Sequence, residues 1–155
     1  MKLFGTFAFL LLAFSSFGQI GTTFDNAKKQ GISIEKLDKE HPGGIDLLQK
    51  PKTISPGIAP EEAYGNAYNK MLQDLGTYLK KNGFKWEKPT KGFNRIYFNQ
   101  NGSIAYFLYN FKTEQISTEK ENQYNTLLNA FIKNYHFAYP MKSKFAQCSS
   151  VTFMD

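Results

Sequence analysis

Cysteine is nearly missing from this chain. Its 155 residues include one, Cys148, so no intramolecular disulfide can form and the fold must rest on an apolar core. Histidine is almost as scarce. His41 sits in a His-Pro-Gly-Gly turn, and His136 follows a predicted helix. Two distant histidines and a lone cysteine have no metal-ligand spacing. Cys148 lies among small residues in a predicted strand, where a thiol packs as a small hydrophobe. There is no glycine-rich phosphate loop after a strand and no pair of acids inside a core segment. Glu61, Glu62, Glu119 and Glu121 stand at helix starts, where the helix dipole accounts for them without chemistry. No catalytic residue, no cofactor and no metal site is expected, so the chain reads as a non-enzyme.

Long hydrophobic runs are absent, with one exception. Leu3 to Phe14 is almost wholly apolar behind Lys2, and Ser15-Ser16-Phe17-Gly18 ends in small residues. Ser16 and Gly18 suit a signal-peptidase site, so residues 1–18 read as a signal peptide cleaved between Gly18 and Gln19. The run is shorter than the roughly 20 residues of a membrane span. No stable span is expected after cleavage, and the product would be periplasmic or secreted. Cys148 is far from this leader, which excludes lipidation at the usual N-terminal cysteine. The formal charge is +6. In an exported protein such a balance suits anionic surfaces rather than nucleic acid, and scattered lysines also serve solubility.

Beyond the leader, four of the six prolines (Pro42, Pro51, Pro56 and Pro60) fall between 42 and 60. Residues 19–59 are poorly patterned, apart from one helical turn around Ser33 to Leu37, and read as an irregular arm or linker. An α+β domain is expected over 60–155. Pro60 suits a first helical turn, Glu61 and Glu62 follow it, and Lys80, Lys81 and Gly83 mark the end. Between them Tyr64, Tyr68, Met71, Leu72, Leu75, Tyr78 and Leu79 form one face. A second helix is announced by capping-box spacing at Thr118 and Glu121, with Ser117 as the other candidate cap. Its stripe is Tyr124, Leu127, Leu128, Phe131, Ile132 and Tyr135. A last strand runs from about Lys144 to Phe153. The order helix, strand, strand, helix, strand predicts a three-stranded antiparallel or mixed sheet with both helices packed on one face.

The aromatic hairpin is the most informative stretch. Phe93 to Phe98 and Ser103 to Phe111 read as strands around Asn101-Gly102. A two-residue turn would pair Phe98 with Ala105. A three-residue loop with Gly102 left-handed would pair Phe98 with Ile104. The second register gathers Ile96, Phe98, Ile104, Tyr106 and Leu108 on one apolar face. It leaves Phe93, Arg95, Tyr97, Phe107 and Tyr109 on the other. Those five residues are the candidate ligand-binding set, because rings around an arginine can stack flat ligands such as sugars. The competing structural role is that Trp86, the 19–59 arm or a partner covers them.

Ile96-Tyr97-Phe98-Asn99-Gln100-Asn101-Gly102-Ser103-Ile104, Tyr135-His136-Phe137-Ala138-Tyr139-Pro140 and Val151-Thr152-Phe153 together resemble the C-terminal domain of TonB-type energy transducers. The motifs are a strand, a polar turn ending in glycine and a strand; an aromatic segment ending in proline; and a closing strand. The resemblance covers about residues 60–155. This chain lacks the retained membrane anchor and the long proline-rich spacer of that family, so force transduction does not carry over. What the resemblance implies is recognition of a protein or peptide of the cell envelope at a sheet edge, the last strand being the candidate. A glycan or small ligand on the aromatic sheet face is the alternative.

Overall fold

The computed structural model describes residues 18–44, 59–112 and 115–155. Of the leader expected over 1–18, residues 1–17 lie outside the described residues, as do residues 45–58 of the arm. Four strands and four helices follow in the order β1 (Ile20–Thr23), α1 (Phe24–Lys29), α2 (Ile34–Glu40), α3 (Pro60–Lys81), β2 (Thr90–Phe98), β3 (Ile104–Phe111), α4 (Thr118–Ile132) and β4 (Phe145–Phe153). The class is α+β. No helix of the described residues is long and apolar enough to cross a membrane.

Both long helices form for local reasons. In α3 Pro60 occupies the first turn with Glu61 and Glu62, Lys80 and Lys81 fill the last turn, and Gly83 follows with a φ of 79°. The side chains buried from α3 are Tyr64, Tyr68, Met71, Leu75 and Leu79, with Leu72 and Tyr78 partly buried at the margin of the same face. For α4 the cap is Ser117, whose hydroxyl accepts from the Lys120 amide, rather than Thr118. This one hydrogen bond satisfies an otherwise unpaired first-turn N–H.

The sheet has four strands, not three, in the order β1-β3-β2-β4. The added strand comes from the arm: β1 runs parallel to β3, whereas β2 is antiparallel to both β3 and β4. The arm is therefore ordered over residues 20–44. Its helices α1 and α2 cover one face of the sheet, while α3 and α4 pack on the opposite face. The expectation that helices occupy one face holds only for the long pair.

Between α3, α4 and the sheet lies the main core, with Phe84, Trp86, Ile96, Phe98, Ile104, Phe107, Tyr109, Phe111, Tyr124, Phe137 and Phe145 among its members. Phe98 stacks on Phe145 at 4.5 Å, and Trp86 stacks on Phe153 at 4.6 Å. A smaller core, made by Ala27, Leu37, Tyr97, Leu108 and Ala146, sits under α1 and α2.

The hairpin adopts the register that pairs Phe98 with Ile104, and Gly102 takes a φ of 82°. A Cβ at Gly102 would also fall 2.8 Å from the Phe137 carbonyl oxygen, so both backbone conformation and space require glycine there. The ladder then slips by one residue, because Tyr97 pairs with Tyr106 and Ala105 is the extra residue of a β-bulge. A bulge sets two residues of one strand against one of its partner and reverses the inward–outward alternation beyond it. Phe107, Tyr109 and Phe111 thereby join Ile96 and Phe98 in the main core. Tyr106 and Leu108 turn to the other face with Arg95 and Tyr97.

Candidate functional site

The bulge divides the five residues expected to share one face. Phe107 and Tyr109 are buried on the α3–α4 side, and the Tyr109 hydroxyl accepts from Asn125 Nδ2 at 3.1 Å. Phe93, Arg95 and Tyr97 remain together on the opposite face. Their cover comes in part from the arm. Tyr97 is fully buried, and its hydroxyl donates to Asp38 Oδ1 at 2.8 Å. Arg95 Nη2 meets the same Asp38 oxygen at 2.6 Å. One α2 carboxylate thus ties two β2 side chains to the arm. Burial is the first cause that raises the Tyr97 hydroxyl above its ordinary pKa, followed by the hydrogen bond to Asp38, while Arg95 opposes them. Trp86 takes no part here. It packs in the main core against Phe84, Phe111, Tyr124 and Phe153.

His41 closes the same corner. Its ring meets Tyr97 edge-on at 5.3 Å, and Nδ1 lies 2.8 Å from the Leu37 carbonyl oxygen. A carbonyl only accepts, so Nδ1 carries the proton. Cys148 is exposed on β4, opposite Arg95 in the β2–β4 register. His136 is exposed and bridges Ser103 through its backbone. Among the described residues no group of three or more His, Cys, Asp or Glu side chains could hold a metal ion. Gly18 is exposed, and the Gln19 side chain donates to the Ile132 carbonyl at 2.9 Å, fixing the start of β1 to the end of α4.

The two edges of the sheet are treated differently. At β1 the exposed side of the Gly21 peptide is closed by α4. Its N–H donates to Asn129 Oδ1 at 2.9 Å, and its carbonyl accepts from Asn125 Nδ2 and Asn129 Nδ2, each at 2.8 Å. At β4 the described residues close only the first part: the Ala146 amide donates to the Pro42 carbonyl at 2.9 Å and the Ala146 carbonyl accepts from the Gly44 amide at 3.0 Å. Alternation along an antiparallel ladder puts the N–H and C=O of Cys148, Ser150 and Thr152 on the same outer side as those of Ala146. Beyond Ala146, the Cys148 carbonyl accepts from the Gln147 side chain at 2.9 Å. The backbone amides of Cys148, Ser150 and Thr152 have no partner among the described residues. From Phe145 to Phe153 the strand has no charged residue, no proline and no bulge against β2, the devices that usually blunt an edge.

The inward side of β4 carries polar residues for a local reason. Gln147 accepts from the Tyr64 hydroxyl at 2.9 Å, and Ser149 Oγ lies 2.5 Å from the Tyr68 hydroxyl. Asn94, the β2 residue between Tyr109 and Ser149 in the register, is fully buried, yet neither its Oδ1 nor its Nδ2 has a partner among the described residues. An unpaired buried amide costs about 1–3 kcal/mol, so Asn94→Val is expected to raise stability by about that amount. Urea unfolding of the two proteins measures this, and a lower midpoint for the variant would mean that the amide is engaged.

Sequence reasoning missed Asp38, His41 and the strand at Ile20–Thr23. Asn110 did carry a signal for the bulge. With unbroken alternation from Ile104 it would point into the main core, and Phe111 would point out. Comparison with protein-family models, curated proteins and solved structures finds no match for this chain.

Proposed function

We propose that this chain is an exported, non-catalytic binding module that takes up a protein or peptide of the cell envelope by strand addition along the outer edge of β4. The observation that carries the reading is the contrast between the sheet edges. β1 is sealed by Asn125 and Asn129, whereas β4 offers outward amides at Cys148, Ser150 and Thr152 on an uncharged, regular strand. Residues 42–44 already pair in parallel with the start of β4 at Ala146, so this edge accepts an extended chain. An added strand gains main-chain hydrogen bonds, and side-chain pockets supply selectivity. The TonB-type resemblance points to the same mode of recognition. The non-catalytic part of the reading is supported by Asp38, whose Oδ1 is taken up by the Tyr97 hydroxyl and Arg95 Nη2.

Ser150→Pro tests it. The Ser150 N–H points away from β2, so proline there removes no ladder bond and is tolerated at an edge. The variant is expected to fold with an unchanged urea midpoint and to lose the envelope partner captured by the unmodified chain. Hydrogen exchange on the captured complex should show new protection at the amides of Cys148, Ser150 and Thr152. Equal protection of these amides with and without the partner sinks the proposal.

A further inference from the structure

The cover supplied by α1 and α2 ends partway along the sheet. Ala146, Tyr97 and Leu108 lie under it, but no described residue covers the far half of the same face. There Phe93 is one of two exposed large hydrophobics among the described residues, at 38%. Its ring is held on one side by Phe24 at 6.0 Å. Around it lies a cleft of about 470 Å³ whose lining includes Lys91, Asn110, Lys112, Ser150 and Thr152. In the register Phe93 stands between Asn110 of β3 and Ser150 of β4. The cleft is therefore a short, pleated floor with one ring, an amide, two hydroxyls and a lysine on each of β2 and the end of β3. Among the described residues neither lysine has an ion-pair partner and no carboxylate lines the cleft.

We propose that this cleft binds an acidic saccharide of the uronic-acid class. A sugar ring has an apolar face that stacks on an exposed aromatic ring and a rim of hydroxyls that need short polar partners. Phe93 supplies the first, and Asn110, Ser150 and Thr152 supply the second. Lys91 and Lys112 account for the acid, because they meet no negative charge among the described residues and a carboxylated sugar supplies it. A nucleic acid would want a longer basic stripe to follow its backbone. An apolar protein patch would leave the hydroxyls, the amide and the lysines without partners. This site is independent of strand addition at β4, since its contacts come from the face of the sheet and not from its edge.

The test is a titration of the full-length chain with a uronic-acid oligomer and with a neutral hexose oligomer of equal length, read by amide chemical shifts and calorimetry. The expected result is that the acidic oligomer shifts the amides of Gly92, Phe93 and Ser150 and binds at least about tenfold more tightly than the neutral one. Phe93→Ala, and separately the double change Lys91→Gln with Lys112→Gln, should each weaken binding about tenfold. Should Phe93→Ala disturb the packing against Phe24, Thr152→Glu is the second variant, since it places a negative charge in the cleft from an exposed position and should abolish binding of the acidic oligomer. The proposal is overturned if those amides do not shift. It is equally overturned if Phe93→Ala folds and binds as the unmodified chain does, or if an acidic peptide of equal charge reproduces both the shifts and the affinity.

Discussion

Phe98→Ala is expected to destabilise the protein by about 3–5 kcal/mol, the range for deleting a buried phenyl ring from a packed core. Phe98 ends β2, where it pairs with Ile104 on one side and Phe145 on the other. Its ring stacks on Phe145 with an interplanar angle of 8° and meets Phe137 at 5.0 Å. Phe137 and Phe145 also touch each other, and both meet Tyr64 of α3. The void left by alanine would thus be walled by aromatic side chains from the strand pair, the segment after α4 and α3. Those walls cannot all collapse inward, because the Phe137 backbone is held by its amide bond to the Gly102 carbonyl at 2.8 Å. The loss should appear as a lower urea midpoint at unchanged slope. Phe93→Ala, on the exposed side of the same strand, should cost far less. Equal losses for the two variants would contradict the placement of Phe98 in the core.

Alkaline pH should unfold this protein over a narrow range. Burial is the largest cause raising the hydroxyls of Tyr64, Tyr68, Tyr97, Tyr109, Tyr124 and Tyr135 above the ordinary value of 10.0. Tyr109 and Tyr135 are each pushed up to about 12. In Tyr109 the Asn125 hydrogen bond opposes the rise, whereas in Tyr135 the neighbouring Asp74 adds to it. Below pH 10 these hydroxyls are protonated in both states, and the stability linked to them is complete. Above it the unfolded chain ionises first, so the native state binds more protons and stability falls as pH rises through the folded values. A tenfold difference in proton affinity between the folded and unfolded states is worth about 1.4 kcal/mol per group. Tyr135 is only partly buried, and solvent screening makes its share the smaller one. Several such groups together should remove about 3–6 kcal/mol by pH 12, comparable to the whole stability of a small domain. Tyrosinate absorbance should then rise cooperatively, together with loss of circular dichroism, between pH 10 and 12. Independent titration of the tyrosines near 10 with the fold intact would refute this account.

Much of the architecture was legible in the chain because it is set by near neighbours. The stripe from Tyr64 to Leu79, the Pro60 start and the Gly83 stop act within a few turns of one helix, and Ser117, the alternative to Thr118 as cap, acts within the first turn of another. The Phe98–Ile104 pairing is favoured by the single apolar face it would make, and the pairing holds although the bulge at Ala105 divides that face. The candidate site was legible only in part. Phe93, Arg95 and Tyr97 do share a face, but Phe107 and Tyr109 left it when Ala105 bulged. That bulge is decided by what the helices require. It puts Phe107, Tyr109 and Phe111 into the core beside Tyr124 and sends Asn110 to the open face, a gain in burial that no local turn signal encodes.

By itself the sequence determined the two long helices, the hairpin and its turn, and the scarcity of cysteine and histidine, because capping, periodicity and composition are properties of short segments. Only the tertiary structure decided that Ile20–Thr23 is a strand, that α1 and α2 cover half of the second face, and that β2 is central and β4 lies at an edge. Four residues reading Ile-Gly-Thr-Thr carry no strand pattern of their own. They become one because β3 offers a ladder and because Asn125 and Asn129, more than a hundred residues away in the chain, satisfy the outer side of Gly21. The edge and the half-face where both proposed sites lie are what those long-range contacts leave uncovered among the described residues.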